Sequence, residues 1–233
     1  SNYNKNIFSV KNYYIKEKYD LLWIDDTDDN ELPTIDVLEK NDCKLPWFFS
    51  KENIPYHLML ENSLDPLHAD HLHHDETPFF NRYTGPGLIK MSSEIIWLNE
   101  TGFKTSLYLN NNQTKTFDII FESPYYTKVI DKTNTIFAMH IPYNNTSSVI
   151  TSAIILHIEN NILKQILKCF ITLFSHDFLK FGRKIRNQDY EVFLQQKRNI
   201  NKYKKKYIRA GPGDIAVILY NKWLKKYGDE EQS

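Results

Sequence analysis

Six segments with a β-strand pattern follow one another between residues 87 and 158, with no helical pattern between them. They are rich in β-branched and aromatic residues, and turn-forming residues such as Asn111, Pro124 and Pro142 separate them. Strands spaced roughly 8–12 residues apart without intervening helices pair antiparallel. The predicted strands are 87–98, 105–109, 116–121, 125–130, 135–141 and 149–158.

Helical patterns lie on both sides of the predicted sheet. Leucines at helical spacing predict a helix over 57–74, and the stretch 161–196 predicts helix in two pieces that break near His176 and Asp177. A last helix is predicted between a cap at Asp214 and a stop at Gly228. An N-terminal hairpin is predicted over 13–24, with a polar turn at 16–20. This order of elements predicts an α+β fold, in which the helices pack on one face of a curved antiparallel sheet.

The amino-acid composition argues against several classes of function. The 233 residues carry 29 Lys+Arg against 29 Asp+Glu, and this balance argues against a nucleic-acid partner, which requires a basic surface. No run approaches the ~18 consecutive apolar residues of a membrane span, so we expect a soluble intracellular protein. Two cysteines, Cys43 and Cys169, exclude a disulfide framework and a four-cysteine metal site. The chain starts at Ser1 without a methionine, and we expect it to be a processed or truncated piece.

The residues that carry chemistry are concentrated in the second half of the first predicted helix, where four of the eight histidines lie within seven residues. Asp65 and His68, three positions apart, share a helix face. His68 and His73 are five positions apart, which is about 140° around an ideal helix. They can bind one metal only if the helix widens or ends between them. By spacing alone, His68 with His71, or His71 with His74, would be the easier pair, and adventitious zinc binding is an open alternative.

The pattern Asn-x2-Asp-x2-His-x4-His, filled by Asn62, Asp65, His68 and His73, resembles the iron-site motif of the Rieske-type non-haem iron oxygenases. The wider stretch 61–74 is most similar to the pheophorbide a oxygenase and chlorophyllide a oxygenase branch of that family.

Three further segments support the resemblance. The run YIKEKYDLLWI at 14–24 is similar to the strands that close the family's Rieske domain. The run NQDYEVFLQQ at 187–196 is similar to a late helix of the family, in which an Asp follows a Gln. Asp-Ile-Ala-Val at 214–217, with Trp-Leu at 223–224, resembles the family's C-terminal end.

The resemblance implies a fold and a domain order. Residues 1–50 would be the closing strands of a Rieske domain and a linker, without the cluster-binding part. Residues 51–233 would be the mononuclear iron catalytic domain, a helix-grip (START-like) fold whose curved antiparallel sheet wraps the C-terminal helices.

It also implies roles for individual residues. His68, His73 and Asp189 would bind Fe(II) as a 2-His-1-carboxylate facial triad, which leaves the opposite face of the iron open. Asp65 would orient His68 and extend towards a Rieske-cluster histidine of a neighbouring subunit. Asn62 would lie beside the iron without binding it strongly.

The implied activity is O2-dependent mono-oxygenation of an apolar or macrocyclic substrate, with tetrapyrroles among the candidates. That chemistry needs a Rieske [2Fe–2S] cluster held by Cys-x-His and Cys-x2-His, and neither Cys43 nor Cys169 stands in such a pair. The resemblance therefore implies a cluster in an upstream domain, a ferredoxin or reductase as electron donor, and a homotrimer in the full-length form. It also makes the plastid a candidate location.

Three alternatives stay open from the residues. A redox-inactive helix-grip domain that binds a hydrophobic ligand would show the same patterns. A zinc hydrolase could use the histidine cluster with Glu61 or Glu76 as base, although no His-Glu-x2-His arrangement is present. Asp177 is a second candidate for the carboxylate ligand.

Overall fold

The computed structural model forms two compact units, residues 1–41 and 42–233. It describes residues 13–28, 31–40, 42–65, 68, 72–73, 91–109, 114–203 and 214–227.

The first unit contains the predicted hairpin, which is confirmed. Strands β1 (Tyr14–Lys18) and β2 (Leu21–Asp25) pair antiparallel and are followed by the short helix α1 (Asp36–Glu39). The turn consists of Tyr19 and Asp20 alone, so it is shorter than the predicted one, and both have positive φ, 62° and 60°. Two positive φ angles give the turn a twist that matches the right-handed twist of the strands.

The second unit is built on one antiparallel sheet, and the six predicted strands are all present in it. The strand order is β3-β10-β9-β8-β7-β6-β5, and β4 pairs with β10 along the same edge. The predictions missed the two short strands that come first. The strands are β3 (Cys43–Lys44), β4 (Phe48–Glu52), β5 (Met91–Asn99), β6 (Gly102–Leu109), β7 (Thr114–Glu122), β8 (Tyr126–Ile130), β9 (Asn134–Asn144) and β10 (Ser147–Leu156).

Irregularities in the strand register bend this sheet. Register shifts occur on β5 between Ile95 and Trp97, and on β6 between Leu107 and Tyr108. Such bulges increase the local bend and twist of a strand. Gly102 begins β6 with φ 136°, and a Cβ there would lie 2.0 Å from the carbonyl oxygen of the facing strand, so only glycine fits.

Helices pack on one face of the sheet, as the α+β prediction requires. The helices of this unit whose bounds the structure describes are α2 (Tyr56–Ser63), α3 (Asn161–Leu173), α4 (Ser175–Tyr203) and α5 (Ile215–Tyr227). Helix α5 lies on β6 and β7, where the Phe121 ring packs 5.1 Å from the Tyr220 ring and 4.9 Å from the Trp223 ring. These aromatic residues belong to one buried hydrophobic cluster.

The helix boundaries differ from the predictions at two places. The predicted break near His176 falls at Phe174, between α3 and α4, and α4 continues to Tyr203, beyond the predicted end at 196. The predicted continuous helix over 57–74 is interrupted, because α2 ends at Ser63, although His68 and Leu72 again have helical conformation. Pro66 follows Asp65 in the sequence, and a residue before proline is disfavoured in a helix. No helix in the described part of the chain is long and apolar enough to cross a membrane.

Candidate metal centre

His68 and His73 lie close together after the end of α2. Their ring centroids are 5.5 Å apart, and the ring planes are inclined at 79°. His68 and Leu72 have helical backbone conformation, whereas His73 lies in a bend, so the helical conformation ends before His73. The 140° separation expected on one ideal helix therefore does not apply to this pair, and the two imidazoles can converge.

Helix α4 brings the third candidate ligand. Asp189 Oδ1 lies 3.1 Å from His73 Nε2 and 3.6 Å from His68 Nε2. One ligand atom from each of the three residues lies within 4.8 Å of the others. His73 and Asp189 are buried, whereas His68 is partly exposed. The three residues that the family resemblance implies as metal ligands thus form one compact group.

The second nitrogen of each imidazole has its own partner. His73 Nδ1 donates to Gln188 Oε1 at 2.6 Å, and His68 Nδ1 donates to the main-chain carbonyl oxygen of Asp65. Carbonyl and amide oxygens only accept hydrogen bonds, so both Nδ1 atoms carry a proton. The lone pairs of the neutral imidazoles are therefore on Nε2, the atoms that face Asp189.

The carboxylate is kept ionised. Burial by itself would raise the pKa of Asp189, but the hydrogen bond with His73 and the electrostatic interactions with His68, His73 and Arg186 outweigh it. The pKa of Asp189 is therefore lowered, and the group presents a negative oxygen to the two imidazoles.

This donor set fits a divalent transition metal. Two Nε2 lone pairs and a carboxylate oxygen point into the same small space, and acceptors this close together require a shared positive charge. A proton can supply that charge in the metal-free protein, and a metal ion supplies it when bound, because metal ligands must be deprotonated. Two imidazoles and one carboxylate are the donor set associated with non-haem Fe(II).

Asn62 and Asp65, the other two predicted site residues, also lie here. Asn62 Nδ2 is 3.3 Å from His68 Nε2 and 3.4 Å from Asp189 Oδ1, so its amide lies directly beside the ligand atoms. Asp65 contacts His68 through its main-chain oxygen. A role for the Asp65 carboxylate in reaching a neighbouring subunit stays a prediction.

Two residues of α4 at the centre were missed as site residues by the sequence analysis. Gln188 holds His73, and its position next to Asp189 was the available signal. Arg186 Nη1 lies 3.7 Å from Asp189 Oδ2. No sequence motif marked Arg186, because its role depends on contacts with Glu52, which lies far away in the chain.

The residues named above as alternative metal ligands or bases either have contacts away from the candidate metal centre or lie outside the described residues. Glu61 accepts a hydrogen bond from Asn221 Nδ2 at 3.1 Å. Asp177 is in the first turn of α4, three turns before Asp189. His71, His74 and Glu76 lie outside the described residues.

Comparison with solved structures identifies the class of fold. The terminal oxygenase of carbazole 1,9a-dioxygenase from Nocardioides aromaticivorans IC177 matches with a TM-score of 0.63 and 11% identity, over 96% of this chain and 70% of that one. A reduced complex between oxygenase and ferredoxin in carbazole 1,9a-dioxygenase matches with a TM-score of 0.61 and 12% identity, over 95% and 65%. Dicamba monooxygenase bound to dicamba matches with a TM-score of 0.58 and 13% identity, over 95% and 71%.

The chain therefore has the fold of the catalytic domain of Rieske non-haem iron oxygenases, and it spans about two thirds of the length of these structures. At such identities the likeness is one of fold. No protein-family model and no curated protein matches the sequence. The similarity to the pheophorbide a oxygenase branch stays a prediction.

Proposed function

We propose that this chain is the catalytic part of a Rieske-type oxygenase that binds one Fe(II) through His68, His73 and Asp189. The observation that carries the proposal is the convergence of these three ligand atoms within 4.8 Å. The fold adds support, because the similar structures are oxygenases. Fe(II) held on one face by three protein ligands supplies open positions at which O2 is activated.

The residues of the chain prepare this centre. Asp65 and Gln188 fix the tautomers of His68 and His73, so that each imidazole has its lone pair on Nε2, the atom that would bind the metal. Asp189 contributes one negative charge, and two neutral imidazoles leave the iron only modestly charged. The reaction we propose is mono-oxygenation of a small apolar or macrocyclic substrate with O2, with a tetrapyrrole as one candidate.

The partners follow from the proposed chemistry. Electrons would come from a Rieske [2Fe–2S] cluster outside this chain, supplied by a ferredoxin or reductase. The similar structures include an oxygenase–ferredoxin complex, which supports a ferredoxin as donor. A homotrimer of the full-length form and a plastid location also belong to this proposal.

Metal content after anaerobic Fe(II) loading tests the centre. We expect about one iron per chain in the wild type, and an affinity lowered by roughly 100-fold or more in His68→Ala, His73→Ala and Asp189→Ala. Asp177→Ala is the matched control, because it removes a carboxylate from the first turn of the same helix and should keep the iron. No iron in the wild type, or iron that the three substitutions do not affect, would contradict the proposal.

The coding sequence upstream tests the redox part separately. A Cys-x-His and Cys-x2-His pair in front of residue 1 would support the oxygenase. A complete gene without such a pair would instead favour a helix-grip domain that binds a hydrophobic ligand.

A further inference from the structure

Arg186 is a buried cation beside the candidate metal centre. It is 7% exposed and lies one helical turn before Asp189 on α4. Its Nη1 is 3.7 Å from Oδ2 of Asp189, whereas the imidazole contacts at 3.1 Å and 3.6 Å are with Oδ1. The two oxygens of Asp189 therefore have different partners: Oδ1 faces the histidines, and Oδ2 faces the guanidinium.

Three further contacts hold the guanidinium in place. Its Nε lies 3.4 Å from Glu52 Oε1 on strand β4, and its Nη2 lies 3.0 Å from Met59 Sδ on helix α2. The Phe193 ring lies 5.6 Å from the guanidinium carbon, within the range of a cation–π contact. Arg186 is thus fixed by the sheet, by α2 and by its own helix.

The position of Glu52 shows that Asp189 is not the only anion available to Arg186. Removing a charge from water is costly, and Glu52 already compensates part of that cost. If Arg186 only needed one negative charge to compensate its burial, Glu52 would be sufficient, and the contact with Asp189 would not be needed. The planar guanidinium differs from a simple positive charge because its nitrogens are held in one plane, with Nε donating to Glu52 at 3.4 Å and Nη1 in an ion pair with Asp189 at 3.7 Å.

The charge on Oδ2 determines how Asp189 can bind a metal. A free carboxylate can bind through one oxygen or through both. An oxygen that faces a fixed guanidinium is less available to the metal, so the other oxygen becomes the single ligand. A carboxylate that binds through both oxygens would occupy one more coordination position.

We propose that Arg186 is a positioning residue of the metal centre, which holds Oδ2 of Asp189 and so makes this carboxylate a one-oxygen ligand. The inference rests on the proposed metal site. Its consequence is that one more coordination position is left open for the reactants. An Arg186 that only stabilised the fold would leave the metal's coordination unchanged.

Visible absorption of the Co(II)-loaded chain reports how many ligand atoms bind the metal, because the band intensity of Co(II) falls as its coordination number rises. In Arg186→Met we expect bands weaker by at least roughly twofold than in the wild type, because Asp189 now binds through both oxygens. Co(II) affinity should be unchanged or higher, because a competing positive charge has gone. Arg186→Lys should give an intermediate spectrum, because an ammonium is a compact point charge without the planar fork.

Arg183→Met is the matched control. Arg183 is an exposed arginine one turn earlier on α4, and its substitution should leave both spectrum and affinity as in the wild type. A wild-type spectrum in a folded Arg186→Met chain, or loss of Co(II) binding by that chain, would overturn the inference.

Two further variants allow each outcome to be interpreted. If Arg186→Met does not fold, the double variant Arg186→Met/Glu52→Gln is measured instead, because it leaves no unpaired charge at Glu52. His68→Ala tests the site itself. Wild-type Co(II) binding that His68→Ala abolishes, with no spectral effect of Arg186, would overturn this inference alone. A wild type that binds no Co(II) would overturn the proposed metal site, and the inference with it.

Discussion

Two buried histidines of the same unit have opposite surroundings. His73, after α2, is 2% exposed, and His140, on strand β9, is 0% exposed. His73 has a carboxylate at one ring nitrogen, 3.1 Å away, and the Gln188 amide at the other, 2.6 Å away. His140 Nε2 lies 3.3 Å from the Thr127 hydroxyl, and its Nδ1 has no hydrogen-bond partner among the described residues.

The charge of Arg186 lowers the pKa at both places, which favours the charged form of Asp189 and the neutral form of His140. It is one of the positive charges that lower the pKa of Asp189, beside His73. Burial, with a further contribution from the charge of Arg186, lowers the pKa of His140 to about 3. Burial alone therefore does not mark a histidine as a candidate metal ligand. A convergent carboxylate and a partner that orients the ring do, and of these two histidines only His73 has both.

The largest expected effect concerns His140 and the pH dependence of stability. In the unfolded chain a histidine gains its proton near pH 6.5, whereas folded His140 stays neutral until about pH 3. Its contribution to stability is therefore fully present above pH 6.5 and is lost as the pH falls. In His140→Leu we expect the free energy of unfolding of the metal-free chain to fall less steeply between pH 6 and pH 4, by about 1.4 kcal/mol per pH unit.

Denaturant unfolding at several pH values measures this slope. Phe137→Leu is the control, because Phe137 is buried on the same strand but does not titrate. It should lower stability by a similar amount at each pH. An unchanged slope in His140→Leu would show that the two histidines do not differ as described.

A smaller effect is expected at Gln188, which orients His73. In Gln188→Leu the Nδ1 proton loses its acceptor, so the tautomer that presents Nε2 is no longer fixed. Loss of such a partner lowers metal affinity by roughly 10–100-fold. Gln188→Glu keeps an acceptor oxygen and should retain affinity, and Asn187→Leu, at the exposed neighbouring position, should have no effect. Equal Fe(II) affinity in Gln188→Leu and the wild type would refute the orienting role.

The smallest effect is expected at a third histidine, whose partner carboxylate is shared with a lysine. Asp42 Oδ2 lies 3.3 Å from His157 Nδ1, and Asp42 Oδ1 lies 3.4 Å from Lys164 Nζ. Here one carboxylate joins a strand end to α3. Asp42→Asn should lower the free energy of unfolding by about 1 kcal/mol. It should leave Fe(II) binding unchanged, and a loss of iron would mean that the metal centre depends on this distant contact.

Local sequence patterns were sufficient to predict most of the fold. The six strands from 87 to 158 were predictable because alternating apolar residues and turn residues act over a few positions, and the sheet pairs neighbouring strands in chain order. Strand β4 was not predicted, because five residues that pair with the distant β10 leave little local signal.

The spacing of Asn62, Asp65, His68 and His73 was enough to predict a metal centre, because it matches a known pattern. That spacing left open how His68 and His73 could meet, because an ideal helix would separate them. In the folded chain His73 lies in a bend just beyond helical residues, and α4 brings Asp189 to both imidazoles. Arg186 and Asp189 are neighbours on α4, but only the packed structure brings Glu52 to Arg186, because contacts between residues more than a hundred positions apart depend on the whole fold.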